Sequence, residues 1–395
     1  MYVRNIVLSN NISILHILRG VNSMIYLDNA ATTRLNSEVL KGFNDLNLKF
    51  FANSASSHKL GQEVSRLEEM ARTQIANLLH AESNEIIFTS GATESNNLAI
   101  KGTAFNYQNR GKHIITTKVE HPSVLNAFKS LEQDFNFHVT YLDVKEDGTV
   151  DINKLEKEIR NDTILVSIMA VNNEVGSIND IESIGKLLKK YPKIIFHSDA
   201  TQSIGKIKMN YDDVDLLSMS SHKIHGFKGS GLLLKRKNVD LLPLLSGGGQ
   251  EFNYRSGTNN YIYEVCLAKT LRISLENQGK NYQYVKELNT YCRDKLKDVD
   301  VKINSPLDGS PYILSLSINK KASVVSEALS LKDIYVSTKS ACSSKKSPTS
   351  YVLLAMNRSE DEARNAIRIS FSEENTKQEI DVFVKELKET LQKIK

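Results

Sequence analysis

The chain has 395 residues, enough for two domains with ample core. Its composition, 40% hydrophobic and 25% charged, is that of an ordinary soluble protein, and no run approaches the roughly 18 to 20 apolar residues that cross a bilayer. The net charge of +5 is too small over this length to argue for nucleic-acid binding, and three cysteines without CxxC or zinc-type spacing point to a reducing compartment with no disulfide framework and no metal site.

Residues 1–23 contain two arginines, one histidine and no acid. Three readings fit: an acid-poor transit-type presequence, a small ordered arm, or an upstream extension of the fold. The last is favoured, because MIYLDNAATT opens with a methionine, Met24, where a strand-and-turn pattern begins. No A-x-A pattern follows a clean apolar core, which argues against a secretory signal.

From Met24 the pattern is α/β. A short strand at Ile25–Leu27 precedes a polar turn, a helix at Asn36–Phe50, a small-residue loop at Phe51–Gly61 and a strongly amphipathic helix at Gln62–His80. Apolar runs then recur with helical segments between them, at Ile86–Phe88, His113–Thr117, His138–Leu142, Ile164–Val171, Ile194–Ser198, Leu216–Met219 and Leu232–Leu234. Such alternation predicts a mostly parallel sheet covered on both faces. A glycine cluster at Gly247–Gly249 precedes a long helical stretch from Tyr261 to Val285, and a boundary is expected within it, near Gly279. The remainder reads as a smaller α+β unit. It has a strand at Tyr312–Ile318, a helix at Ala322–Leu329, a loop around Cys342, a strand at Ala366–Ser370 and a terminal helix from Thr376.

In an open parallel sheet, ligands bind beyond the carboxyl ends of the strands. After Phe88 comes TSGATESNN, a glycine turn running into a helix start. This is either an anion site or an ordinary helix capped by Thr93. After Phe196 comes His197-Ser198-Asp199, and Asp199 either serves a turn or pairs with a protonated ring nitrogen. His121, held extended by Pro122, is either a satisfied loop histidine or a ring that lies on a planar ligand. Lys223 ends the apolar run of DVDLLSMSSHK. It is either a surface lysine or an amine that desolvation frees to form a Schiff base. A phosphate-type turn, a carboxylate, a histidine and a lysine on one rim are the parts that pyridoxal 5′-phosphate requires.

YLDNAATT, SGATESNNLAIKG, VNNEVGS, DATQSIGK, SSHKIHGFKGSG, GGGQE, RSGT and SAC, in this order from Met24 onward, resemble the NifS/IscS-like cysteine desulfurases of the class V aminotransferase group. The resemblance implies the pyridoxal-phosphate-dependent transferase fold of type I, with a mostly parallel seven-stranded sheet in the large domain. The implied organisation is an extension at 1–23, a segment at 24–39 packing with the small domain, a cofactor-binding domain at 40–278 and a small domain at 279–395. Lys223 would hold the cofactor covalently, Asp199 would pair with its ring nitrogen, Gln202 would bond its ring hydroxyl, and His121 would stack on the ring and act in proton transfer. Ala92, Thr93, Ser220 and His222 would hold the phosphate. Thr258 would reach the cofactor of a second subunit, which implies a homodimer. Asn173 and Arg368 would orient L-cysteine, the guanidinium fork suiting its carboxylate.

Cys342 lies in STKSACSSKKSP, whose lysines Lys339, Lys345 and Lys346 favour thiolate. It is a solvent-exposed spare cysteine or, beside such a cofactor, the acceptor of a persulfide; Cys266 and Cys292, in helical patterns, read as structural. The reaction implied is conversion of L-cysteine to L-alanine in the cytoplasm, with sulfur passed to an iron–sulfur scaffold protein or a tRNA-thiolation enzyme, and no direct role for nucleic acid or membrane. A selenocysteine lyase or an aminotransferase on the same fold is the alternative, and a transaminase has no use for a loop thiol. A non-catalytic scaffold would not need Lys223, Asp199, His121 and Arg368 together. The chain departs from the family pattern at the loop 51–61, which lacks a proline, and at Ser221, Phe227 and Ser372.

Overall fold

The computed structural model describes residues 24–338 and 349–394; the N-terminal stretch 1–23 and the expected loop around Cys342 lie outside them. Seven strands form the large sheet: β2 (Ile86–Thr89), β3 (His113–Thr117), β4 (His138–Leu142), β5 (Thr163–Ser167), β6 (Ile195–Asp199), β7 (Leu216–Ser220) and β8 (Gly231–Lys235). Their spatial order is β2-β8-β7-β6-β5-β3-β4, and β8 alone among them runs antiparallel to its neighbours. The apolar runs became these strands because neighbouring residues go to opposite faces. Phe88, Ile115, Val166, Phe196 and Leu217 enter one apolar cluster, while Ile87, Ile114, Leu165, Ile195 and Leu216 enter another. Phe196 is only 1% exposed, and burying a side chain of that size contributes about 1.5–3 kcal/mol.

Helices cover both faces. The first two, α1 (Ser37–Lys49) and α2 (Lys59–Leu78), are capped by Asn36 and His58, so α2 starts earlier than its apolar pattern alone indicates. The next four are α3 (Ala92–Tyr107), α4 (Pro122–Phe135), α5 (Ile152–Glu158) and α6 (Ile181–Leu188). The long stretch after the glycine cluster is one continuous helix, α7 (Tyr261–Lys295). Its first half gives Leu267 and Leu271 to the core of the large sheet; its second half gives Val285, Leu288 and Cys292 to a separate core. No helix among the described residues is long and apolar enough to cross a membrane.

That second core lies on a four-stranded antiparallel sheet of β9 (Val301–Ile303), β10 (Ile313–Ile318), β12 (Ser337–Thr338) and β13 (Ala366–Ser370), ordered β12-β13-β10-β9. Helices α8 (Ala322–Ser330) and α11 (Lys377–Lys393) complete that core, α11 starting with a Thr376 capping box, whereas α9 (Tyr351–Ala355) and α10 (Glu360–Arg364) give Val352, Leu353 and Ala363 to the core of the large sheet. The chain start returns here. Strand β1 (Ile25–Tyr26) pairs in parallel with β11 (Ile334–Tyr335), and Ile25, Leu27 and Ala30 join the same core. The polar turn after β1 is thereby carried to the rim of the large sheet. At the Phe227 departure the ring stacks on Tyr263 (centroids 5.2 Å apart) and also meets Phe43, so an aromatic cluster stands in that loop.

Beside the rim, Arg72 on α2 makes a bidentate ion pair with Glu251 (2.7 and 2.8 Å), and both are nearly fully buried. The pair anchors Glu251, Phe252 and Asn253, all with positive φ (48°, 56° and 69°), a conformation that costs roughly 1–2 kcal/mol per residue. Next to it, burial pushes the Glu264 carboxyl up to about 9 from an ordinary 4.5, with Glu251 and Glu68 adding to the rise. Between those values the unfolded chain releases a proton that the folded chain keeps. Stability therefore falls as pH rises, by up to about 1.4 kcal/mol per unit. Glu264→Gln is expected to raise the thermal midpoint clearly at pH 8 and little at pH 5; an equal change at both would contradict this ionisation.

Candidate active site

The carboxyl ends of β2, β6 and β7 meet the amino end of β8 at one point on the rim. Here Gly91 has φ of 141°, and a Cβ on Gly231 would stand 2.6 Å from the Gly91 Cα and 2.5 Å from the Met219 carbonyl, so the turn must close backbone to backbone. Gly91, not Thr93, is the N-cap of α3, and no side chain caps it. The first turn of α3 is thus left to a ligand, with Thr93 and Ser220 beside it.

A cavity of about 460 Å³ opens at this point. Ala92, Thr93, His121, Asn173, Asp199, Gln202, Ser220, His222, Lys223 and Arg368, separated by up to 276 positions in the sequence, all line it. Thr258 does not; it is exposed on the loop between Gly249 and α7. Cys342 lies outside the described residues, yet the residues that flank its segment, Thr338 and Ser350, both line the cavity.

Lys223 ends the 3-10 turn that follows β7, and its Nζ donates to the Ala30 and Ala31 carbonyls at 2.8 and 2.7 Å. Asp199 ends β6 and is 5% exposed; its Oδ1 accepts the Thr201 N–H at 3.0 Å and its Oδ2 the Asn96 amide at 2.8 Å. Gln202 donates to the Ala30 carbonyl and accepts from Lys206, both at 2.9 Å. Burial pushes the Lys206 ammonium down to about 7, assisted by Lys223. Burial likewise takes His222 down to about 4, with Lys223, Lys228 and Lys206 adding to the fall. His222 is therefore neutral, and several cations concentrate positive potential where an anion would sit.

On the opposite wall Arg368 projects from β13. Its Nη1 donates to the Asn173 carbonyl and its Nη2 to Asp28 Oδ1, each at 2.8 Å. Its buried Nε–H has no partner among the described residues. Asn173 thus acts here through its main chain. Sequence reasoning gave no role to Ala30, Ala31 and Asn96, although all three fall inside motifs it quoted. Asn96 stands one helical turn after Ala92, a spacing that returns it to the strand ends.

These residues fit pyridoxal 5′-phosphate: an uncapped helix start beside a glycine cradle for phosphate, a buried strand-end carboxylate for a ring nitrogen, and an amine for the aldehyde. The site and the sheet order define a pyridoxal-phosphate enzyme of fold type I. The aminotransferase class-V family model matches residues 25–383, and the chain belongs to that family. It is 44% identical over 382 residues to the cysteine desulfurase IscS of Glaesserella parasuis, covering 94% of this chain and 93% of that protein. It is 42% identical over 371 residues to a NifS/IcsS protein homolog of Lactobacillus delbrueckii, covering 91% and 95%. Among solved structures it resembles a NifS-like protein with a TM-score of 0.89 at 38% identity, covering 94% of this chain and all of that one. It also resembles the apo cysteine desulfurase of Thermococcus onnurineus, with a TM-score of 0.84 at 25% identity.

Proposed function

We propose that the protein is an L-cysteine desulfurase, which converts L-cysteine to L-alanine and passes the sulfur as a persulfide on Cys342 to an acceptor protein. The observation that carries this reading is that an amine, a carboxylate and a guanidinium, Lys223, Asp199 and Arg368, face one cavity whose wall also bears both stems of the Cys342 segment. Bound pyridoxal phosphate supplies the electron sink that lets an amino acid lose its α-proton.

Lys223 would hold the cofactor and then carry the substrate α-proton on Nζ. Asp199, fixed on both oxygens, would keep a cofactor ring nitrogen protonated. The first turn of α3, with Thr93, Ser220 and neutral His222, would receive the phosphate, and Gln202 would bond the ring hydroxyl. Arg368 would grip the substrate carboxylate with the Nη hydrogens that Asn173 and Asp28 do not take. The Cys342 thiolate attacks the substrate sulfur. The C–S bond breaks, an S–S bond forms, and the carbon takes a proton, so that cysteine and enzyme thiol become alanine and enzyme persulfide.

Thr258, exposed on its own chain, serves the site of a second copy. Exposed Leu48 (82%), Phe51 (80%) and Met70 (67%) support a homodimer that covers them. The sulfur acceptor is an iron–sulfur scaffold protein or a tRNA-thiolation enzyme, and the setting is the reducing cytoplasm.

With L-cysteine and a reductant, alanine and sulfide should appear in equal amounts. A keto acid in place of alanine would indicate a transaminase and end this reading. Arg368→Ala, which removes charge-assisted hydrogen bonds to the substrate, is expected to raise KM roughly 10- to 100-fold, and an unchanged KM would remove Arg368 from substrate binding.

A further inference from the structure

Behind the cavity wall a hydrogen-bond chain joins two lining residues, Asp199 and His121, through Asn96 and Ser123, to which the reading above gives no role. Asn96, fully buried on α3, donates from Nδ2 to Asp199 Oδ2 at 2.8 Å and to Ser123 Oγ at 2.9 Å. Both amide hydrogens are thereby engaged. Ser123 Oγ accepts from Asn96, so its own hydrogen turns to the His121 Nδ1, 2.8 Å away. A second donor reaches the same nitrogen. His121 is the N-cap of α4, and the Ser123 main-chain N–H lies 3.2 Å from Nδ1.

A main-chain amide can only donate. Nδ1 must then carry its lone pair, and the single hydrogen of neutral imidazole sits on Nε2. Nε2 is the nitrogen left for the cavity that the ring lines. We propose that Ser123 and Asn96 are positioning residues: they lock His121 in its Nε2–H tautomer and tie that ring to the Asp199 carboxylate, so that His121 meets cofactor and substrate as a hydrogen-bond donor and not as a base. What His121 meets rests on the desulfurase reading; the tautomer does not. Base work at the α-carbon then belongs to Lys223, and His121 steadies negative charge that grows opposite Nε2.

The charges around the ring come from three elements: Asp199 at the end of β6, Lys223 after β7 and Glu174 in the turn after β5. Burial and Lys223 push the imidazolium down, while Asp199 and Glu174 push it up, and the net shift is downward. Two donors on Nδ1 act in the same downward direction, because both are lost when that nitrogen takes a proton.

The test is nitrogen-15 NMR of cofactor-loaded enzyme labelled in histidine, with the His121 signals identified by their loss in His121→Gln. The resting wild type should show the Nε2–H tautomer. Ser123→Ala, which removes one of the two donors and leaves the main chain in place, should raise the His121 titration midpoint by roughly 0.7 unit, the equivalent of one ordinary hydrogen bond. Ser123→Thr should return it. A wild-type Nδ1–H tautomer, or a midpoint that does not move in Ser123→Ala, would overturn the proposal. Full turnover by His121→Gln would instead remove the histidine from the desulfurase mechanism and leave the tautomer assignment standing.

Discussion

Lys223→Ala is expected to purify colourless and to turn over L-cysteine more slowly by roughly 10⁴-fold or more, since both the covalent tether and the proton carrier are lost. The expectation follows from where the amine stands. Its Nζ is held by the Ala30 and Ala31 carbonyls. Those carbonyls are held in turn by the smaller sheet, through Asn29 N–H to the Ser370 carbonyl at 3.4 Å and Ala30 N–H to the Ser370 hydroxyl at 2.8 Å. The lysine thus sits where the β1 turn, the large sheet and β13 meet. With alanine there the Ala30 carbonyl keeps its Gln202 donor and cavity water can satisfy the Ala31 carbonyl, so the fold should persist. Lys228 is the other lysine among the described lining residues, and Lys228→Ala should keep the colour. Borohydride should fix the cofactor to the wild type and to Lys228→Ala but not to Lys223→Ala. Fixation to Lys223→Ala would move the tether to another residue.

Cys342→Ser should keep its cofactor, its colour and exchange of the substrate α-proton, yet lose sulfide and alanine production by at least about 10³-fold, the scale of losing an activated nucleophile. The other two cysteines cannot substitute. Burial pushes the Cys266 thiol up to about 11 and the Cys292 thiol up to about 12, and both lie in helix α7. The stems on either side of Cys342 are fixed at the cavity. β12, ending at Thr338, pairs with β13 beside Arg368, and Ser350 donates to Glu174 at 2.5 Å while the Tyr351 hydroxyl donates to the Glu120 carbonyl at 2.7 Å. From Thr338 an extended chain of four residues spans at most about 14 Å, enough to bring the thiol into a cavity whose wall Thr338 itself forms. Retained sulfide production by Cys342→Ser would show that sulfur leaves the site without this thiol.

The strands of the large sheet were legible because parallel strands buried on both faces read as unbroken apolar runs. Thus His113–Thr117 and His138–Leu142 agree with the structure residue for residue. The run Ile164–Val171 was read too long, because the strand ends at Ser167 and Ile168 to Val171 are buried as irregular chain, with Val171 in an isolated bridge to Ile178; burial alone does not separate the two. The short pairings β1–β11 and β12–β13 were illegible; two-residue strands carry no period, and their partners lie far away in sequence. At the rim, Lys223, Asp199 and His121 were visible as polar residues that end apolar runs or follow them. Asn96 and Ser123 were not, since nothing in a linear text states that an amide in one helix touches a hydroxyl at the start of the next. Of the two readings of the TSGATESNN turn, the one that capped α3 with Thr93 fails for a related reason. The close approach of Gly91 to Gly231 sets the helix start, and that contact belongs to the sheet.

The central claim is that the Lys223 amine and the Cys342 thiol serve one bound cofactor. Its most direct measurement is mass spectrometry of the holoenzyme after a single turnover of L-cysteine without reductant. The account predicts one added sulfur on the peptide that contains Cys342, none on those with Cys266 or Cys292, and one alanine released per sulfur retained. Alanine released in full with the Cys342 peptide unmodified would contradict it.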